Sequence, residues 1–118
     1  RRSDEVARVL NDAGMISIAA YVAPSEDVRQ RAAGLQGSRR FLVVHLRAPL
    51  EVCRARDADG HYALADAGEI ANFPGVSAIY EEPEAPDLSL DTDELSVSDC
   101  VDQIVDLLQE REFLTPLG

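Results

Sequence analysis

The sequence contains few of the residues that mark zinc proteins, disulfide-stapled domains and membrane proteins. Its 118 residues include two cysteines, Cys53 and Cys100, with neither C-x-x-C spacing nor clustered histidines. This pattern argues against a zinc site and against a disulfide framework. Because free cysteine behaves as a small hydrophobic residue, we expect both thiols to be reduced and buried. No apolar run is long enough to cross a bilayer, so a membrane partner is not expected.

Positive charge is also scarce. The chain carries 11 Lys and Arg residues against 22 Asp and Glu residues, which gives a formal net charge of -11. Such a surface repels a phosphate backbone instead of releasing its counterions, so nucleic acid is not an expected partner. The N-terminus lacks the basic and then apolar order of a signal segment, and we expect a soluble, cytoplasmic protein. With 46% hydrophobic residues, residues 1–118 are expected to form a single domain.

A glycine-rich phosphate loop of the form G-x-x-x-x-G-K-[ST] is missing from these residues. That loop is a common device for holding ATP phosphates and magnesium, and the chain cannot supply it. The chain begins at Arg1 without a methionine and enters a helical pattern at once. We therefore expect it to be a piece of a longer polypeptide.

Helix and strand patterns alternate through the first half of the chain. Apolar residues at helical spacing predict a helix over residues 4–13, and Ser25 is a good cap for a second helix over about 26–35. Two almost continuously apolar runs, residues 15–22 and 41–46, predict strands buried on both faces. This alternation is typical of an α/β fold with a parallel sheet flanked by helices.

The second half contains a long segment of low periodicity. Pro49 predicts the first turn of a short helix, after which residues 57–86 are rich in glycine and proline, with one short helical piece at 62–67. So long an irregular segment inside a compact domain predicts a functional lid. The acidic run at residues 81–94 contains prolines and predicts a solvated connector more than a metal site.

The C-terminal part predicts one more strand and one more helix. Residues 88–90 form a brief apolar strand pattern. Ser96 and Asp99 form a weak capping box for a helix that ends near Glu110. The apolar face predicted for this helix consists of Val101, Ile104, Val105 and Leu108.

Several short segments occur together in one order: EVARVLNDAG, a strand ending in V-A-P, APLEVCRARD, G-x-Y, A-G-E-I, F-x-G, Y-E-x-P-E-A-P and D-C-V-x-Q-I-V-x-L-L-Q-E-R. In this combination the chain resembles the adenylylsulfate (APS) kinase family over nearly its whole length. The resemblance implies the P-loop kinase fold, with the N-terminal phosphate-loop part absent. The family transfers the γ-phosphate of Mg-ATP to the 3′-hydroxyl of APS, giving ADP and PAPS for sulfate assimilation. The catalytic and metal-binding elements of the family would lie upstream of Arg1, so none is assigned in this chain.

The resemblance also assigns candidate APS contacts. Phe73 stands in the place of the family's lid phenylalanine, and an aromatic face there would stack on the APS adenine. The alternative for Phe73 is a hydrophobic latch that closes the lid onto the body. Val22 and Pro24 match the family's APS-contacting turn, since ligands of open α/β sheets bind beyond the carboxyl ends of strands. The alternative for these two residues is a plain turn between strand and helix.

Two further residues match nucleotide-binding positions of the family. Arg56 matches an arginine beside the ATP adenine, where its guanidinium plane would stack. A surface ion pair with Asp57 or Glu51 is the alternative. Cys100 coincides with a nucleotide-pocket position, and a small buried core thiol is the alternative.

The departures from the family concern charge in the lid. Basic residues of the family are replaced at five lid positions: Asp59, Ala63, Leu64, Asp66 and Ala71. A lid without these charges attracts two polyanionic ligands poorly, and aspartate adds repulsion. Three further positions depart from the pattern, with Ala23 in place of serine, Asn72 in place of glycine and Arg47 in place of aspartate. We therefore expect the domain to be impaired in catalysis.

Three functions are compatible with these observations. The first is a degenerate APS kinase-like domain with a structural or nucleotide-sensing role, fused to or partnered with an ATP sulfurylase. The second is part of an active kinase whose phosphate loop lies outside the given chain. The third is an interaction module, because an incomplete sheet exposes an edge and an apolar face that favour a partner or a second copy. Adenine nucleotides (APS, PAPS, ADP or ATP) are the expected ligands of the first two.

Overall fold

The computed structural model describes residues 2–37 and 39–115. Five helices and two strands occur in this part of the chain: α1 (Arg2–Asp12), α2 (Glu26–Gln36), β1 (Val44–Arg47), α3 (Leu50–Ala55), α4 (His61–Asp66), β2 (Leu88–Asp91) and α5 (Val97–Glu110). The helices are present near the predicted positions, but the order differs from the predicted one because no strand separates α1 from α2. Both strands are four residues long, so the predicted run at residues 41–46 forms a strand only in its second half.

The two strands form a parallel pair, as the sequence predicted. Val44 lies opposite Leu88, and the register continues to Arg47 opposite Asp91. Because parallel neighbours need a long crossover, the connection from β1 to β2 contains α3, α4 and the predicted lid, residues 57–86. The fold therefore carries the lid between two adjacent strands.

The core of the described residues is small and centres on β2. Leu90 is the one fully buried large side chain among them, and it lies in the strand on which α5 packs. The apolar face predicted for α5 is wrong in detail. Val101 and Val105 are exposed and Leu107 is the buried residue, because only the short β2 and its neighbours cover this helix.

The prediction of a buried strand at residues 15–22 is wrong. The segment has no strand assignment, Ile18 is 89% exposed and Tyr21 is 69% exposed. Within residues 2–37 and 39–115, no backbone hydrogen bond joins residues 16–22 to another segment. An apolar run becomes a buried strand only when a neighbouring strand forms hydrogen bonds with its N–H and C=O groups. In this structure β1 and β2 pair with each other instead.

Two serine caps fix helix starts as predicted. The Oγ of Ser25 accepts from the N–H of Val28 at 3.4 Å, and the Oγ of Ser96 accepts from the N–H of Asp99 at 3.0 Å. Each bond satisfies a donor that the first turn of a helix leaves free. Across the described ranges, no helix combines the length and the apolar character that crossing a bilayer requires.

Candidate nucleotide site and its lid

An aromatic pair forms the centre of the lid. The rings of Tyr62 and Phe73 meet edge to face, with 5.0 Å between centroids and 73° between planes. The N–H of Phe73 donates to the Oγ of Ser77 at 2.8 Å, which holds the backbone beside the ring. Burial raises the pKa of the Tyr62 hydroxyl, and the neighbouring Cys53 thiol adds to the shift. Both residues of this contact lie within the lid, so stacking of Phe73 on an adenine and its alternative role as a latch onto the body both stay predictions.

An arginine from α3 braces the same part of the lid. The guanidinium of Arg54 donates to both carboxylate oxygens of Asp66, at 2.6 and 3.2 Å, and lies 5.3 Å from the centroid of the Tyr62 ring. The hydrogen bond from Arg54 holds the pKa of the Asp66 carboxyl below its usual range. Asp66 is one of the lid positions that departs from the family's basic pattern. Its carboxylate is paired with Arg54 of α3.

Asn72 adopts a backbone conformation that explains its residue type. Its φ is 57°, in the left-handed region that favours glycine and that asparagine tolerates better than other side chains. The replacement of the family's glycine by Asn72 is therefore compatible with the turn that leads into Phe73.

The turn that matches the family's APS contact lies at residues 22–24. Val22 is exposed, Ala23 has a φ of 41°, and the carbonyl of Pro24 accepts from the N–H of Glu81 at 2.8 Å. The turn is thus bonded to the end of the lid. Within the described residues, no hydrogen bond or ring contact joins it to Phe73, so the structure does not bring the three candidate APS residues together by direct contact.

The two candidate nucleotide-binding residues lie apart from this turn. Arg56 donates to the Oγ1 of Thr92 at 3.0 Å and to its carbonyl at 2.9 Å, and these bonds replace the ion pair with Asp57 or Glu51 that was the alternative. Cys100 lies near the start of α5 and is a free thiol. Cys53 and Cys100 are both half-buried, so the expectation of full burial is wrong for each.

Sequence reasoning missed the residues that hold the lid in place. Arg54 pairs with a residue 12 positions away, and no local pattern announces such a contact. Arg29, which bonds to Glu26 three residues earlier on α2, could have been recognised as a helical ion pair. Its burial and its bond to Glu81 could not have been recognised in this way.

Metal ions in proteins are commonly held by clusters of His, Cys, Asp or Glu side chains. Across residues 2–37 and 39–115, no group of three or more His, Cys, Asp or Glu side chains could hold a metal ion. Mg-ATP, the cofactor that the resemblance implies, therefore stays a prediction for this chain. What the site offers is an aromatic lid and a turn at the end of an apolar segment.

Solved structures place the fold in a known class. An APS kinase, CysC, from Mycobacterium tuberculosis, solved with AMPPNP and APS, superposes with a TM-score of 0.85 at 32% sequence identity. The match covers 92% of this chain and 63% of that chain. The helices and the parallel sheet therefore belong to the P-loop kinase fold.

Sequence comparisons give the family within that class. The family model described as Adenylylsulphate kinase matches residues 1–91. The bifunctional enzyme CysN/CysC of Rhodopirellula baltica is 53% identical over 114 residues, which are 97% of this chain and 18% of that protein. The adenylyl-sulfate kinase of Bacteroides thetaiotaomicron is 44% identical over 108 residues, which are 92% of this chain and 54% of that protein. The chain belongs to the adenylylsulphate kinase family, and it spans about half the length of that single-function relative.

Proposed function

We propose that these residues form the APS-recognising part of an APS kinase domain of sulfate activation and that, on their own, they do not transfer phosphate. The observation that carries this proposal is the composition of the folded lid. Residues 57–86 include the packed pair of Tyr62 and Phe73, yet they contain no lysine and no arginine. An aromatic surface can hold an adenine, whereas phosphate groups need positive charge or oriented N–H donors.

Phosphoryl transfer depends on positioning and on neutralising charge at the γ-phosphate. The chain has no phosphate loop, and the arginine nearest the aromatic pair, Arg54, is already bonded to Asp66. A structural or nucleotide-sensing role follows for these residues. The likeness to a bifunctional CysN/CysC protein supports a setting beside an ATP sulfurylase, either fused or as a partner. The cytoplasm is the compartment that suits these nucleotide ligands.

Titration calorimetry with APS and with ADP tests the recognition half of the proposal. We expect APS to bind the chain and Phe73→Ala to weaken binding at least about fivefold, because base stacking on an aromatic ring contributes about 1–3 kcal/mol. Tyr62→Ala is the matched control, since it breaks the same ring contact and leaves Phe73 in place. Equal losses in the two variants would show that Phe73 acts through its contact with Tyr62 and does not stack on the adenine. Undetectable binding by the wild type would refute the recognition role.

The second half of the proposal concerns activity. We expect no formation of PAPS from ATP and APS by the chain alone. The alternative is an active kinase whose phosphate loop lies outside residues 1–118. Sequencing the coding region upstream of Arg1 discriminates between the two: an intact G-x-x-x-x-G-K-[ST] followed by an acidic strand end would support the active kinase, and its absence would support the impaired domain.

An interaction module is a second candidate, favoured by the exposed apolar segment. Ile18 and Tyr21 are largely exposed, and this segment has no backbone partner in the described residues. Such a segment favours addition of a strand from a partner or from a second copy. Sedimentation over a range of concentrations tests it with Ile18→Glu. Association that Ile18→Glu abolishes supports the module, and a compact wild-type monomer at all concentrations counts against it.

A further inference from the structure

Arg29 is the most deeply buried charged side chain that the structure describes outside the lid. It lies in the first turns of α2, and its side chain is only 8% exposed. Burying a guanidinium is costly unless hydrogen bonds replace the lost water. The hydrogen-bond partners of Arg29 therefore indicate which segments its buried side chain holds together.

Four hydrogen bonds occupy the guanidinium. Its Nε and Nη2 donate to the Oε2 of Glu26 at 3.2 and 2.8 Å, its Nη1 donates to the carbonyl of Ala23 at 2.6 Å, and its Nη2 donates to the carbonyl of Glu81 at 2.6 Å. A guanidinium has five N–H donors, so little capacity is left for an anion. Arg29 therefore links two backbone segments by hydrogen bonds and is not a phosphate ligand.

The two carbonyls that Arg29 joins are far apart in sequence. Ala23 lies in the turn after the exposed segment, and Glu81 lies at the end of the lid, 52 residues after Arg29. The backbone bond from the N–H of Glu81 to the carbonyl of Pro24 runs beside the guanidinium and closes the same junction. Gln30 donates to the other oxygen of Glu26 at 2.9 Å, which fixes the carboxylate that orients Arg29.

We propose that Arg29 is a positioning residue that fixes the turn at residues 22–24 to the C-terminal end of the lid at Glu81. The turn and this end of the lid then move as one body, and APS binding at the turn is coupled to the placement of the lid. This inference rests on the proposed function, because it needs APS recognition, which the family resemblance assigns in part to this turn. Arg29 acts through Ala23 and Glu81 and does not touch the ligand itself.

Hydrogen exchange measures the junction without any ligand. In Arg29→Gln we expect the N–H of Glu81 to exchange at least tenfold faster, while the amides of α5 keep their protection, because the junction opens locally. Arg31→Gln is the matched control, since it removes the same charge from an exposed position on the same helix. Uniformly faster exchange along the chain, or no change beyond that of Arg31→Gln, would overturn the proposal.

Arg29→Lys separates charge from geometry and serves if Arg29→Gln does not fold. An ammonium keeps the charge but cannot reach both carbonyls with a planar fork. We expect hydrogen exchange at the N–H of Glu81 to stay fast in Arg29→Lys. Restored protection in this variant would contradict the proposed positioning role of Arg29. In calorimetry, each Arg29 variant should weaken APS binding about tenfold, as a small misplacement of binding groups does. Wild-type protein that does not bind APS would refute the proposed function and leave the exchange result to decide the role of Arg29.

Discussion

Arg54 donates to both carboxylate oxygens of Asp66 and thereby ties α3 to the last turn of α4. Reversing the charge in Asp66→Arg should lower the melting temperature by up to a few degrees, because two cations would then face each other. The double variant Arg54→Glu, Asp66→Arg should recover most of the loss, since it rebuilds the pair in the opposite sense. Failure of the double variant to recover any stability would show that the pair contributes nothing through its charge.

The pH dependence of this pair has a defined sign. The pKa of Asp66 is lowered in the folded state, chiefly by the hydrogen bond from Arg54. Its contribution is therefore complete above the unfolded pKa of about 3.9 and is lost as the pH falls through the lower folded pKa. The difference in melting temperature between the wild type and Asp66→Asn should be measurable at neutral pH and should vanish in strong acid.

Leu90 is the residue whose truncation should harm the fold most. It is fully buried in β2, so Leu90→Ala should cost about 3 kcal/mol of unfolding free energy through lost burial and a residual cavity. Leu46→Ala removes the same atoms from the paired strand at a position that is 61% exposed, and it should cost less than about 0.5 kcal/mol. Urea denaturation followed by circular dichroism measures both. Similar costs for the two variants would mean that β2 is not the centre of the core.

His45 should make the fold sensitive to mild acid. It is buried on β1 and stacks on Tyr80, and burial lowers the pKa of its imidazole, with Glu82 opposing the shift. The unfolded chain therefore takes up a proton more readily, and stability should fall as the pH drops below the unfolded pKa of about 6.5.

Replacing the imidazole tests this assignment. His45→Phe keeps an aromatic ring beside Tyr80 and should flatten the melting temperature between about pH 7.5 and about pH 5.5, the range in which the imidazole titrates. The same slope in His45→Phe as in the wild type would assign the pH dependence to other groups.

Asn72 should tolerate glycine and resist a branched side chain. At a φ of 57°, Asn72→Gly should change the unfolding free energy little, while Asn72→Val should cost about 1–2 kcal/mol from steric strain in the left-handed region. Ala71→Val is the control, because it places a valine one residue earlier, at an exposed position without positive φ. Val76→Ala is not suitable as a control, because it changes packing. A cost for Ala71→Val equal to that of Asn72→Val would remove the conformational explanation.

Local chemistry allowed much of the fold to be predicted from the sequence. The caps at Ser25 and Ser96 depend on side chains and N–H groups three residues apart, so the sequence displays them directly. A parallel sheet was expected from the alternating helical and apolar patterns, which are also local, although residues 15–22 of that alternation do not form a strand. The irregular segment at residues 57–86 was visible as a break in periodicity rich in glycine and proline, and its role as a lid stays a prediction.

The errors concern burial and long-range contacts. The run at residues 15–22 has the composition of a buried strand. Composition indicates only that a segment can form such a strand when other elements cover it. Ile18 has no such cover in the described part of the chain. The bonds of Arg29 to Glu81 and of Arg54 to Asp66 cross 52 and 12 residues, and no pattern in a single sequence specifies them.

The lid lies in the crossover from β1 to β2. Its length can therefore change without altering the strand pairing. Strand pairing fixes the two ends of this connection, because β1 ends at Arg47 and β2 begins at Leu88. Doubling the length of a flexible connection costs only about 0.6 kcal/mol of closure entropy. Residues inserted at the exposed Gly68, beyond α4, would therefore lengthen the lid without shifting the strands, and descendants of this domain can gain or lose lid residues while keeping the same sheet.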